Sequence, residues 1–186
     1  MGSELIEDFW QLLESHDFLV TDSRRWPNTA PHDVPSLDKL LMLLQSKIPP
    51  EYSKNVRMVL KDRTSGLLYV LSSEDKHFWG VSRGVISQLV EHAREAPWAL
   101  ILLDGSAQTG HWFDSTAVGE LIQRRRWRER PGPRLGEELY YYVGPRREDT
   151  SEGRRFLGTD KLLKLLKSFL ETSDHSSPLQ NRTPTS

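Results

Sequence analysis

The chain has no cysteine. Disulfides, thiolate metal sites and cysteine nucleophiles are therefore excluded. It also has little net charge. Its 25 Lys plus Arg stand against 26 Asp plus Glu, a formal −1, so no global field points to a charged partner. Long apolar runs are missing, and none approaches the ~18 residues of a membrane-spanning helix. The opening MGSELIEDFW lacks the basic-then-apolar order of a secretory leader, and Ile6 stands where the myristoylation pattern needs Ser or Thr. A cytoplasmic protein without membrane association is the expectation. Common catalytic signatures are missing too. DGSAQTG, from Asp104 to Gly110, has neither the lysine and spacing of a P-loop nor the G-x-G-x-x-G pattern. Ala107 rules out G-x-S-x-G there.

What is present reads as one α+β domain. The 186 residues suit a single domain over 1–172 followed by a polar, disordered tail over 173–186. N-terminal helices are expected within 3–48, a sheet core within 55–157 and an amphipathic helix over 159–172. Leu5, Ile6, Phe9, Trp10, Leu12 and Leu13 make a helical stripe. TDSRRWPNTAPHDVP then breaks the periodicity, and Ser36 opens a second helix that Pro49 and Pro50 end. NVRMVLKD alternates as a strand, and LLYVLSS is the continuous apolar run of a strand covered on both faces. With KHFWGV these make three sequential strands, expected to form an antiparallel meander. A helix carrying Val85, Ile86, Leu89 and Val90 precedes the strand WALILLD. The expected sheet is single, mixed or mainly antiparallel, with about five to six strands and flanking helices. In the last helix Leu162, Leu163, Leu165, Leu166, Phe169 and Leu170 oppose Lys161, Lys164 and Lys167. That pattern fits a helix packed on the sheet.

The clearest charged feature is QRRRWRERPGPR. From Glu120 to Arg155 there are 10 Arg and 7 Asp plus Glu, a local balance of +3. Arg124, Arg125, Arg126, Arg128, Arg130 and Arg134 could fork onto phosphates, and Trp127 between them could stack on a base. A solvated helix end explains the same arginines through the helix dipole. In LYYYV, alternation puts Tyr140 and Tyr142 on one face and Tyr141 on the other. Of the six tryptophans, Trp10, Trp79 and Trp98 fit core patterns, whereas Trp26, Trp112 and Trp127 lie in or beside expected loops. His77 and His111, with Asp104 and Asp114, could form a His/carboxylate metal site. No spacing matches a known zinc pattern, however, and packed histidines explain them as well.

The order from Ser36 to Asp104 is helix, strand, strand, strand, helix, strand. With one acid-x-lysine triplet, Glu74-Asp75-Lys76, it resembles the core of the PD-(D/E)XK, restriction-endonuclease-like nucleases. The resemblance covers about 70 residues. It implies that Asp62 and Glu74 bind a divalent metal such as Mg2+, that Lys76 assists and that Gln88 supports the site. Two carboxylates at one strand end could hold a hard cation, which would polarise a phosphate and activate water. A charged turn explains Glu74, Asp75 and Lys76 equally, and Asp62 before RTSG is an ordinary turn start. Two functions follow. One is a nucleic-acid-associated domain acting on DNA or RNA, with metal-dependent cleavage as its catalytic form. The other is a non-catalytic module that binds a protein through the Arg/Trp surface and the last helix. The oligomeric state has no signature.

Overall fold

The computed structural model describes residues 2–21, 55–73, 78–92, 97–132, 139–144 and 147–172. The second expected helix, Trp26, Glu74, Lys76, His77, Arg134 and the tail lie outside them. Helix α1 (Gly2–Ser15) leads to strand β1 (Leu19–Thr21). Strands β2 (Val56–Lys61) and β3 (Thr64–Ser72) form a hairpin. Strand β4 (Trp79–Ser82), helix α2 (Arg83–His92) and strand β5 (Trp98–Ser106) follow. Then come β6 (Thr109–Asp114), α3 (Ser115–Gln123), β7 (Arg128–Arg130) and β8 (Tyr140–Val143). A short helix α4 (Arg147–Thr150), β9 (Arg154–Leu157) and α5 (Thr159–Thr172) complete the order.

The main sheet is six-stranded and mixed, in the order β1-β2-β3-β5-β6-β9. Every neighbouring pair is antiparallel except β3 and β5, which run parallel from Leu67↔Trp98 to Ser72↔Leu103. Parallel neighbours need a long crossover, and the chain from Ser73 through β4 and α2 supplies it. The α+β class and mixed six-stranded sheet match the sequence reading. The meander does not. Strand β4 leaves the main sheet and joins a second, three-stranded sheet in the order β4-β8-β7. Two contacts hold it over β3 and β5. The Ser82 N–H donates to the Tyr69 hydroxyl oxygen, 3.1 Å. The Trp79 indole N–H donates to the Leu103 carbonyl oxygen, 2.9 Å.

Side-chain alternation divides the core into two layers. On β3, Leu67 and Tyr69 face one side while Leu68 and Val70 face the other. On β5, Leu100 and Leu102 oppose Ala99, Ile101 and Leu103. Both faces of these central strands are buried, as their unbroken apolar runs require. One layer is closed by α2, α3 and the inner face of the second sheet, through Val85, Leu89, Val118, Leu121 and Tyr141. The other is closed by α1 and α5, through Phe9, Trp10, Leu13, Leu162 and Leu166. Gly66 lets α5 come close, since a Cβ there would stand 2.6 Å from the Phe169 ring. Ser82 caps α2 by accepting from the Val85 N–H, 3.2 Å. At α3 the N-cap position falls to Asp114, whose carboxylate bonds the Trp112 indole N–H, 3.0 Å, and Arg154 rather than a helix N–H. No helix among the described residues is long and apolar enough to cross a membrane.

Candidate nucleic-acid interface

Asp62 sits in the tight β2–β3 turn with φ 55, the left-handed region that Asp tolerates better than most residues. It lines a cleft of about 450 Å³ with His16, Lys61, Lys167 and Glu171. Strand β3 then runs nine residues away from this turn. At about 3.3 Å per residue, Ser73 stands about 30 Å from Asp62. Asp62 thus stands at the opposite end of β3 from Ser73, because the hairpin puts the end of β2 beside the start of β3. Among the described residues no three His, Asp or Glu side chains converge as metal ligands, and Glu74, the second acid of the expected Mg2+ site, lies outside them. Gln88 lies in α2, and its Oε1 is buried with no hydrogen-bond partner among the described residues.

A different group gathers where the parallel strands finish. The Ser73 N–H donates to the Leu103 carbonyl oxygen, 3.3 Å, which places the ends of β3 and β5 side by side. Asp104 follows Leu103. His111 on β6 pairs with Leu102 on one side and with Arg155 of β9 on the other. The Arg155 guanidinium donates to His111 Nε2 at 3.3 Å and stands 4.0 Å from the Asp104 carboxylate. Arginine has no acceptor, so Nε2 accepts and the neutral ring carries its proton on Nδ1. That Nδ1 is buried with no partner among the described residues. The ring is 6% exposed and edge-on to Trp79, with centroids 5.8 Å apart. Burial, then the Arg155 charge, hold its pKa below 6.5, with Asp104 pulling weakly the other way. The carboxyl ends of parallel strands are where open sheets commonly bind ligands. Asp104, His111 and Arg155 offer an acid, a neutral imidazole and a cation there.

The arginine segment divides in two. Arg124 caps the C-terminus of α3, its N–H donating to the Glu120 carbonyl oxygen at 2.9 Å, and Arg125 turns the chain with φ 54. Arg124, Arg125 and Arg126 are exposed, as are Arg128 and Arg130 on edge strand β7. Trp127 is not a surface ring. It is 2% exposed, edge-on to Phe113 at 5.4 Å, and its indole N–H donates to the Asp149 carbonyl oxygen at 3.0 Å. Trp112, also expected near a surface, is 1% exposed and packs against Phe169. Each lies inside an apolar layer that links elements far apart in sequence, which short-range loop signals do not reveal.

The aromatic side chains that do reach this surface are on β8. Register pairs Gly80 and Arg128 with Tyr142, and Ser82 and Arg130 with Tyr140. Gly80, Arg128, Arg130, Tyr140 and Tyr142 share the outer face of the second sheet, whereas Ser82 is buried at the start of α2. Phe78, just before β4, stacks on Tyr142 with centroids 5.0 Å apart and planes 19° apart. The Arg130 guanidinium lies 4.7 Å from the centre of the same ring. Glu129 pairs in register with buried Tyr141 on the opposite face and stands 3.8 Å from Arg83. Burial first and the Glu129 charge second push the Tyr141 hydroxyl above its ordinary value. The last helix, the other surface of the protein-binding reading, has spent its apolar stripe on the main sheet.

No protein-family model and no curated protein matches the sequence. Among solved structures the chain is similar to D212, a nuclease from a fusselovirus. The two share a TM-score of 0.42 and 9% identity, over 91% of this chain and 89% of that one.

Proposed function

We propose that this chain is a nucleic-acid-associated domain that meets the phosphate backbone with Arg124, Arg125, Arg126, Arg128 and Arg130. The observation that carries this reading is the exposure of all five, with no ion pair to any of them among the described residues. The one acid within the stretch, Glu129, turns toward Arg83. Guanidinium groups without an ion pair in this density suit bidentate contact with phosphates. The test is affinity for DNA and RNA oligonucleotides against salt. With three or more phosphates engaged, log affinity should fall with log salt at a slope of about −2 or steeper. A flat dependence removes the reading.

Phosphodiester cleavage is the finer form of the proposal. Its support is the meeting of strand ends at Ser73 and Leu103, because Glu74 and Lys76 follow one and Asp104 follows the other. In this reading Asp104, next after Leu103, takes the role of second acid in place of Asp62. Incubation with Mg2+ and labelled DNA or RNA tests this. Cleavage is expected to vanish in Glu74→Ala, Lys76→Ala and Asp104→Ala and to persist in Asp62→Asn. Cleavage that survives Glu74→Ala, or none in the wild type, refutes it.

A further inference from the structure

We infer that the outer face of the second sheet is a stacking platform for single-stranded nucleic acid. This inference rests on the nucleic-acid reading above and narrows it to one strand form and one surface. Three planar groups stand together on this face. Phe78 approaches Tyr142 from the β4 side as a near-parallel ring, and Arg130 approaches the same ring from the β7 side. Tyr140 leans over Gly80, where a Cβ would stand 3.4 Å from its ring. All of these rings are only partly buried, and Arg128 and Arg130 are exposed beside them.

Charge points to the occupant. Alternation sends Glu129 to the other side, and the Asp149 carboxylate near the edge of the Tyr142 ring is engaged by the Gly144 N–H at 3.0 Å. A surface of partly exposed rings with two cations suits a ligand that is planar and anionic at short intervals. Unpaired nucleotides have that chemistry: bases stack on aromatic rings and on guanidinium planes, and phosphates meet arginine. A duplex does not, since its bases are already stacked on each other.

Fluorescence anisotropy with a labelled 12-nucleotide single strand and its duplex decides the matter. The single strand is expected to bind more tightly. Phe78→Leu and Tyr142→Leu, each checked for an unchanged melting temperature, should weaken it about 5- to 100-fold, and Tyr142→Phe should restore it. Arg128→Gln and Arg130→Gln should each reduce the steepness of the log–log salt dependence by about 0.7. Equal binding of duplex and single strand, with Phe78→Leu and Arg128→Gln without effect, overturns the platform while leaving nucleic-acid association standing. No binding of either form at low salt overturns both. If Tyr142→Leu lowers the melting temperature, Phe78→Leu and the two arginine variants carry the test.

Discussion

The Trp79 indole N–H donates to the Leu103 carbonyl oxygen at 2.9 Å, joining the strand that leaves the main sheet to the central strand β5. The ring is 2% exposed and its neighbours are core side chains. Trp79→Phe removes the donor and part of the ring volume. The expected loss is about 2–3 kcal/mol, the sum of a buried acceptor losing one partner and a small cavity. Urea unfolding monitored by circular dichroism measures it, and a loss under about 0.5 kcal/mol would mean that the second sheet does not depend on this bond.

Stability should fall in mild acid because of His111. Its pKa in the fold lies below the ordinary 6.5, first through burial and then through Arg155. The folded state therefore binds fewer protons than the unfolded chain. The contribution is complete above about pH 6.5, shrinks as pH falls below it and stops changing below the folded-state pKa. Protonation at Nε2 would also set two cations against each other where the 3.3 Å contact now lies. His111→Asn should flatten this part of the pH profile between pH 5 and 7, read from unfolding free energies. An unaltered profile in the variant would assign the acid sensitivity to other groups.

Two glycines should respond in opposite directions to alanine. A Cβ at Gly110 would overlap the carbonyl oxygen of Leu102 across the β5–β6 pair. Gly110→Ala should cost about 3 kcal/mol or more, since backbone must move to admit it. Gly119 lies within α3, and a Cβ there meets nothing within 4 Å. Gly119→Ala should stabilise by about 0.5–1 kcal/mol through helix propensity. Thermal melts of the two variants check both signs.

The ion pair between Arg154 and Asp114 should matter little. Both side chains are about half exposed, 53% and 40%, and exposed pairs are worth at most about 1 kcal/mol. Asp114 also accepts from the Trp112 indole N–H, so Asp114→Ala should destabilise more than Arg154→Ala. Denaturant midpoints of the two variants give the comparison, and the reverse order would mean that the ion pair outweighs the indole bond.

Local pattern foretold the elements better than their partners. The period-2 and continuous apolar runs of β2, β3 and β5 and the stripes of α1 and α5 are local properties, and they were legible. The diversion of β4 was not, because KHFWGV carries the same strand signal whichever sheet receives it. What decides is the distant pairing of Trp79 with Val143 and Ser82 with Tyr140. The arginines of the candidate interface were legible as charge. Their aromatic neighbours were misassigned to Trp127, since only the second sheet brings Phe78 and Tyr142 beside Arg130. The strand-end group was legible only in part. Asp104 and His111 stood out in the sequence as metal candidates, but Arg155, 44 residues from His111, stood out only as part of the arginine-rich stretch and not as their partner.

The topology of the main sheet has a kinetic consequence. Hairpins β2–β3 and β5–β6 close over two-residue turns and can form early, whereas the parallel seam between them waits for the chain from Ser73 to Pro97 to wrap around. The β6–β9 seam joins Thr109 to Leu157 over a still longer span. Closing such spans costs entropy before any contact is made. Folding speed is therefore expected to hinge on Leu68, Val70 and Ile101 at the parallel seam, and holding time on Phe156 at the outer one. Leu68→Ala, Val70→Ala and Ile101→Val should chiefly slow refolding, and Phe156→Leu should chiefly hasten unfolding. Stopped-flow refolding and unfolding of the four variants would show whether the seams divide the two rates in this way.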